Sequence, residues 1–276
     1  MTLQRQHSEA IQEPSTPPGS LRSARDDALV SFEKVGKSFG AATALRALDF
    51  DVYPGETLTL LGPSGCGKST ALRLLAGLAQ PTSGEIRWNC AAAREKIGFV
   101  FQEATLLPWA DVFANVYLPL RLAGVARRDA APRVSEALEL VGLAQFPRAL
   151  PRELSGGMKM RCAIARALVM RPALLLMDEP FAALDEVTRW KLNDELLTLK
   201  ARLGATIVFV THSVLESAFL STRVVVLAAK GGGIVDEIAV DPKLKRDADF
   251  RLSSEFMSVC RRASQALQRA MSEARP

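Results

Sequence analysis

Cysteine is scarce in this chain of 276 residues: Cys66, Cys90, Cys162 and Cys260 lie far apart with no CxxC pair. That argues against a disulfide framework and against a zinc site, and it points to a reducing compartment. Long hydrophobic runs are missing too. The longest stretch free of Lys, Arg, Asp and Glu, Leu203 to Leu215, has 13 residues, short of the roughly 18 needed to span a bilayer. Nor does one sign of charge dominate, since 35 basic against 30 acidic side chains leave a net +5, too little to announce a nucleic-acid binder. The N-terminus has no unbroken apolar core between a basic start and a small-residue cleavage site, so a secretory signal is not expected. What remains is ordinary globular composition, 48% apolar and 24% charged, in a length that suits one large domain or one domain with an insertion.

Residues 1–27 are polar and broken by Pro14, Pro17, Pro18 and Gly19, a composition that predicts a disordered tail. Short β-rich runs follow, Leu29 to Phe32 and the alternation through Leu48, Phe50 and Val52, closed by a turn at Pro54 and Gly55. Thr57 to Leu61, Ala173 to Met177 and Thr206 to Val210 are nearly continuous apolar runs, as strands buried on both faces would be. Helical patterns over Thr70 to Leu78 and through Trp190, Leu192, Leu196 and Leu199 alternate with them, which predicts a mainly parallel α/β sheet. Between about 103 and 170 strands give way to helical patterns at Val112 to Leu122, Pro132 to Val141 and Met158 to Val169, the signature of an inserted helical subdomain. Val224 to Leu227 and Ile234 to Ile238, on either side of a Gly-rich turn, predict a terminal hairpin. Residues 241–276 form a basic helical extension: Pro242 to Pro276 holds eight basic against four acidic side chains. Two readings of that charge stay open, a solvated helix face and contact with anionic lipid or an acidic partner.

Gly62, Pro63, Ser64, Gly65, Cys66, Gly67, Lys68 and Ser69 match GxxxxGK[ST] where a buried strand turns into a helix. Glycines there let backbone N–H groups converge on a β-phosphate, the helix N-terminus adds partial positive charge, and Lys68 adds a full one. Ser69 would place its hydroxyl on Mg²⁺ bridging the β and γ phosphates of ATP, and Thr70 joins the same ATP-binding set. The run Leu174 to Met177, expected to neighbour Thr59 to Leu61 in the sheet, ends in Asp178 and Glu179. Asp178 fits a water-mediated Mg²⁺ partner, and Glu179 can orient and deprotonate the attacking water. His212 ends the third buried strand and so faces the same crevice, where a γ-phosphate contact is the expected role. Gln102, after the apolar run Ile97 to Phe101, is placed to sense Mg²⁺ or the attacking water.

With Leu154, Ser155, Gly156 and Gly157 opening a helix ahead of the acidic strand, the set resembles the ATP-binding cassette (ABC) ATPases over about Leu29 to Val240. The resemblance implies a P-loop core with mainly parallel sheet, an antiparallel β edge and an inserted helical subdomain, together one ATPase domain over 28–240. It also implies a homodimer, two cassettes head to tail with ATP between them. Ser155, Gly156 and Gly157 of one subunit would close over the γ-phosphate held by the other, and Asp185 follows in the family's order. Phe39 occupies the family's adenine-stacking position. Two departures stand out: Met158 follows Gly157 where the family usually has Gln, and Ala182 stands where many members carry Ser. Neither touches the charged groups. Leu-Ser-Gly-Gly-Met, Leu106 to Trp109 and Asp-Glu-Pro-Phe look like the nitrate, sulfonate and taurine importers.

That likeness implies an ATP-hydrolysing subunit on the cytoplasmic face of the cell membrane, docked on a separate integral membrane permease. A solute-binding protein outside the membrane would deliver the solute, and no nucleic acid would be involved. Leu107, Pro108 and Trp109 either line the groove for a permease helix or pack as a helix staple. The alternatives are a soluble cassette ATPase acting on ribosomes or DNA, disfavoured by a single cassette without a long coiled-coil insertion, and a nucleotide switch without turnover, disfavoured by Glu179 and His212.

Overall fold

The computed structural model describes residues 27–231, 233–247 and 249–272. The expected N-terminal tail lies, but for Asp27, outside the described residues, as do the last four residues of the extension. Strands β1 (Val30–Phe39) and β2 (Ala42–Val52) pair antiparallel and, with β4 (Ser83–Trp88), make a sheet of order β2-β1-β4. The main sheet takes β3 (Thr57–Leu61), β5 (Ile97–Val100), β6 (Leu174–Asp178), β7 (Thr206–Thr211), β8 (Arg223–Leu227) and β9 (Ile234–Ala239) in the order β5-β6-β7-β3-β8-β9. All its pairings are parallel except β8 with β9, the expected hairpin. Every residue of β3, β6 and β7 is buried, in keeping with their unalternating apolar sequences.

One expectation fails here. β3 and β6 are not neighbours, because β7 lies between them, with Phe209 opposite both Thr59 and Met177. The three strands are similar apolar runs covered on both faces, so nothing local distinguishes which pair is adjacent.

Helix α1 (Lys68–Leu75) begins inside the phosphate motif and stops before the expected Leu78. Gly77, at φ +70°, ends it in a left-handed turn: Leu78 N–H reaches back to the Arg73 carbonyl at 2.9 Å and Gly77 N–H to that of Leu74 at 3.1 Å. A short helix α2 (Ala91–Arg94) precedes β5. The insertion holds α3 (Val112–Leu122), α4 (Arg127–Leu140) and α5 (Gly156–Leu168). Asp111 caps α3 through the Ala114 amide at 2.7 Å. α4 starts five residues before the expected Pro132, which sits within the helix. One apolar core joins these helices to one face of the main sheet, and a second lies between the other face, α1 and the three-stranded sheet.

After α6 (Glu186–Leu203) and α7 (Val214–Leu220), the chain ends in α8 (Ser254–Ser272). The extension packs on the core: Ala263, Ala266 and Ala270 of α8 lie buried against Val224, Val226 and Ile238. Its charge is partly spent within the fold, since Arg262 and Arg269 both bond Asp236 of β9, at 2.9 and 2.8 Å. The bond from Arg262 is the main reason the Asp236 carboxyl lies below its ordinary range. A carboxyl depressed in the folded chain contributes stability above its unfolded value, about 3.9, and loses that contribution as pH falls through the lower folded value. Asp236→Asn should therefore lower the unfolding free energy from urea titration at pH 7 by a small amount, about 1 kcal/mol or less for so exposed a pair of arginines. The gap between variant and parent should close as pH drops below about 4.

Candidate active site

The C-terminal ends of β3, β7 and β6 lie side by side, and each delivers part of one charged cluster. From β3 the chain enters the phosphate loop, where Gly65 and Gly67 have φ of +78° and +102°. A Cβ on Gly67 would sit 2.5 Å from the Ala44 carbonyl oxygen, so only glycine lets the loop approach β2 this closely. Lys68, 4% exposed, folds its ammonium back into the loop and donates to the Gly62 and Pro63 carbonyls at 2.9 and 3.0 Å. The Cys66 thiol is buried beside it, and burial pushes its pKa up.

Lys68 Nζ lies 3.5 Å from Glu179 Oε1, and Glu179 Oε2 lies 2.9 Å from His212 Nδ1. The two carboxylate oxygens thus face two different partners. Glu179 holds φ +45°, uncommon for a residue with a side chain, and its amide donates to the Val210 carbonyl of β7 at 3.0 Å. That bond ties the end of β6 to the strand that carries His212. One residue earlier, Asp178 Oδ1 accepts the Ser69 hydroxyl at 2.7 Å. Burial raises the Asp178 carboxyl, and the Ser69 bond works against that rise.

Lys68, Ser69, Asp178, Glu179 and His212 are therefore brought into one bonded cluster. Gly62, Pro63 and Cys66 join it by accepting from Lys68, whereas Gln102, Phe39, Ser155, Gly156, Gly157 and Asp185 share no hydrogen bond or ion pair with it among the described residues. Gln102 is exposed just past β5, whose Val100 lies opposite Met177. Phe39, 57% exposed, stands at the end of β1 with Lys37 Nζ 5.0 Å from its ring centre. Ser155 caps α5 by accepting the Met158 amide at 3.3 Å, so the amides of its first turn point outward with the helix dipole. Ser155 and Gly156 are exposed, and Gly157 is half-buried. A Cβ on Gly157 would meet the Thr188 methyl at 2.9 Å, so this turn packs on the start of α6. There Asp185 is the cap, accepting the Thr188 amide at 2.9 Å, the bond that chiefly lowers its carboxyl.

Sequence reasoning missed what lies behind His212. Glu216 is a buried carboxylate whose Oε2 accepts the Thr211 hydroxyl, and Arg189 approaches its other oxygen at 3.6 Å. Ser213 to Glu216 has the spacing of a capping box, a signal that could have singled out Glu216.

A phosphate loop on a parallel sheet, with two acids and a histidine at the ends of adjoining strands, defines a P-loop nucleoside triphosphatase. The comparisons with known proteins refine this. The profile described as ABC transporter matches residues 45–182. A putative ATP-binding protein of Brucella abortus biovar 1 is 44% identical over 241 residues, 86% of this chain and 93% of that one. An aliphatic sulfonates import ATP-binding protein, SsuB 1, of Xanthomonas axonopodis pv. citri is 45% identical over 217 residues, 77% of this chain and 86% of that one. A dimeric ATP-binding cassette in a post-hydrolysis state with ADP and Pi superposes with a TM-score of 0.67 at 34% identity, covering 77% of this chain and 99% of that one. The chain belongs to the ABC transporter family and is an ABC-type ATPase. The Xanthomonas relative meets the expected likeness to the sulfonate branch.

Proposed function

We propose that this chain is the ATP-hydrolysing subunit of an importer for a small solute of the sulfonate, nitrate or taurine kind, working as a homodimer on a separate membrane permease. The observation that carries the reading is the bridge from Lys68 through Glu179 to His212, beside the Ser69–Asp178 bond. The phosphate loop and Lys68 take the triphosphate. Lys68 then exchanges the Gly62 and Pro63 carbonyls for phosphate oxygens and lets go of Glu179, whose freed oxygen accepts a proton from the attacking water. His212 keeps Glu179 oriented and contacts the γ-phosphate.

Ser69 and Asp178 fit Mg²⁺, since a hydroxyl and a carboxylate bonded to each other are the hard oxygen donors this ion takes. Once bound there, Mg²⁺ would neutralise charge on the β and γ phosphates. Gln102 would sense the ion or the water, Phe39 would stack on adenine, and Ser155, Gly156, Gly157 and Asp185 would serve the nucleotide held by the opposite subunit.

No described helix is long and apolar enough to cross a bilayer; in this reading the permease partner supplies the membrane attachment. Trp109 is 76% exposed, which does not suit a packed helix staple and favours docking of the permease. Its loop is braced from below: Asn115 bonds the Leu107 amide at 2.7 Å and Arg166 holds the Ala104 and Thr105 carbonyls at 2.8 Å.

A mixing experiment tests the shared site. Ser155→Arg and Lys68→Ala chains should each be inactive alone. Combined, they should recover a clear fraction of parental ATPase, since one interface of the mixed dimer carries neither change. No recovery would end the reading of a site shared between subunits.

A further inference from the structure

We propose that Glu216, held by Arg189, is a positioning residue that sets His212 against Glu179. The inference rests on the reading of His212 given above. The His212 side chain is 51% exposed, and among the described residues its one hydrogen bond is to Glu179. Its orientation must therefore come from its backbone, and both flanking residues are tied to Glu216. Before it, the Thr211 hydroxyl donates to Glu216 Oε2. After it, the Ser213 amide donates to that same hydroxyl oxygen at 3.0 Å, while Ser213 Oγ accepts the Glu216 amide at 3.3 Å.

On its far side Glu216 has an ion-pair partner, without a hydrogen bond, in Arg189. Arg189 Nε lies 3.6 Å from Oε1, and Arg189 Nη2 donates to the Leu184 carbonyl at 3.0 Å, one residue before Asp185. The carboxylate is only 5% exposed. A buried ion pair at this separation contributes little net stability, since desolvation offsets the attraction, so the arrangement acts through geometry. α7 has seven residues and cannot hold a helix by itself. Its start depends on the Ser213 cap, and its end on Arg246, which donates to the Phe219 and Ser221 carbonyls at 2.7 and 2.9 Å. The segment that follows His212 is thus tied at its start to Glu216 and at its end to Arg246.

The test separates positioning from folding. Glu216→Ala and Thr211→Val should lower kcat for ATP by roughly ten- to hundredfold with KM little changed, as a misplaced catalytic group does. Thr211→Ser, which keeps the hydroxyl, should restore parental kcat. In chains that also carry His212→Ala, neither change should lower kcat further. A second readout needs no turnover, because the chain has two histidines, His7 and His212. The imidazole proton resonance of His212 should move in Glu216→Ala and Thr211→Val and return in Thr211→Ser, with His7 unmoved. Should Glu216→Ala fail to fold, Thr211→Val, which removes the hydroxyl while keeping the side chain's shape, gives the same readouts. An unmoved His212 resonance, or an equal loss of kcat with and without His212, overturns the proposal. Parental turnover in His212→Ala would instead remove His212 from hydrolysis, while the resonance decides its positioning independently.

Discussion

Glu179→Gln should bind ATP as tightly as the parent and hydrolyse it roughly a hundred- to ten-thousandfold more slowly, the usual contribution of a general base. The amide has the carboxylate's shape, so it can keep its place between Lys68 and His212 and hold the same backbone conformation. It cannot accept a proton from water. With binding intact and cleavage blocked, the ATP-bound dimer should accumulate, and light scattering on the column eluate would show the doubled mass. Turnover within a few-fold of the parent would remove Glu179 from the chemistry. A sample that remains monomeric with magnesium and ATP would remove the shared interface instead.

Lys68→Ala should act one step earlier. Its ammonium is the full positive charge bonded within the phosphate loop, 2.9 Å from the Gly62 carbonyl and 3.5 Å from Glu179. Charge-assisted hydrogen bonds of this kind contribute about 1.5–3 kcal/mol each, so nucleotide affinity should fall roughly ten- to hundredfold or more. Titration with a fluorescent ATP analogue measures the loss, and a thermal melt shows whether the chain still folds. Unchanged affinity would mean that the loop's backbone amides hold the phosphates unaided. The two variants should thus differ in kind: one binds without cleaving, and the other fails to bind.

Much of the site was legible because its chemistry is local. The turn from β3 into α1 needs glycine at Gly65 and Gly67 and a lysine at the helix start, and these requirements are written in consecutive residues. Asp178, Glu179 and His212 were legible for a similar reason, since each follows an apolar run that can only be a buried strand. Helix ends were less so. Leu78 continues the apolar pattern of α1 but lies beyond the Gly77 turn, 63% exposed. Pro132 looked like a helix start and instead sits inside α4.

From sequence alone came the apolar strands, the helical insertion, the phosphate loop and the identity of the acids and the histidine, because all depend on periodicity and on neighbours along the chain; β4, none of whose residues is buried, left no such signal. Tertiary structure alone decided that β7 separates β3 from β6, and with it that His212 and Lys68 reach Glu179 from different directions. It also placed Glu216 behind His212 and bound the extension's arginines to Asp236. Three strands buried on both faces carry no mark of their order, and an ion pair between distant residues leaves no pattern in either segment. Such choices are made only when the sheet assembles and each charge finds the partner that its burial requires.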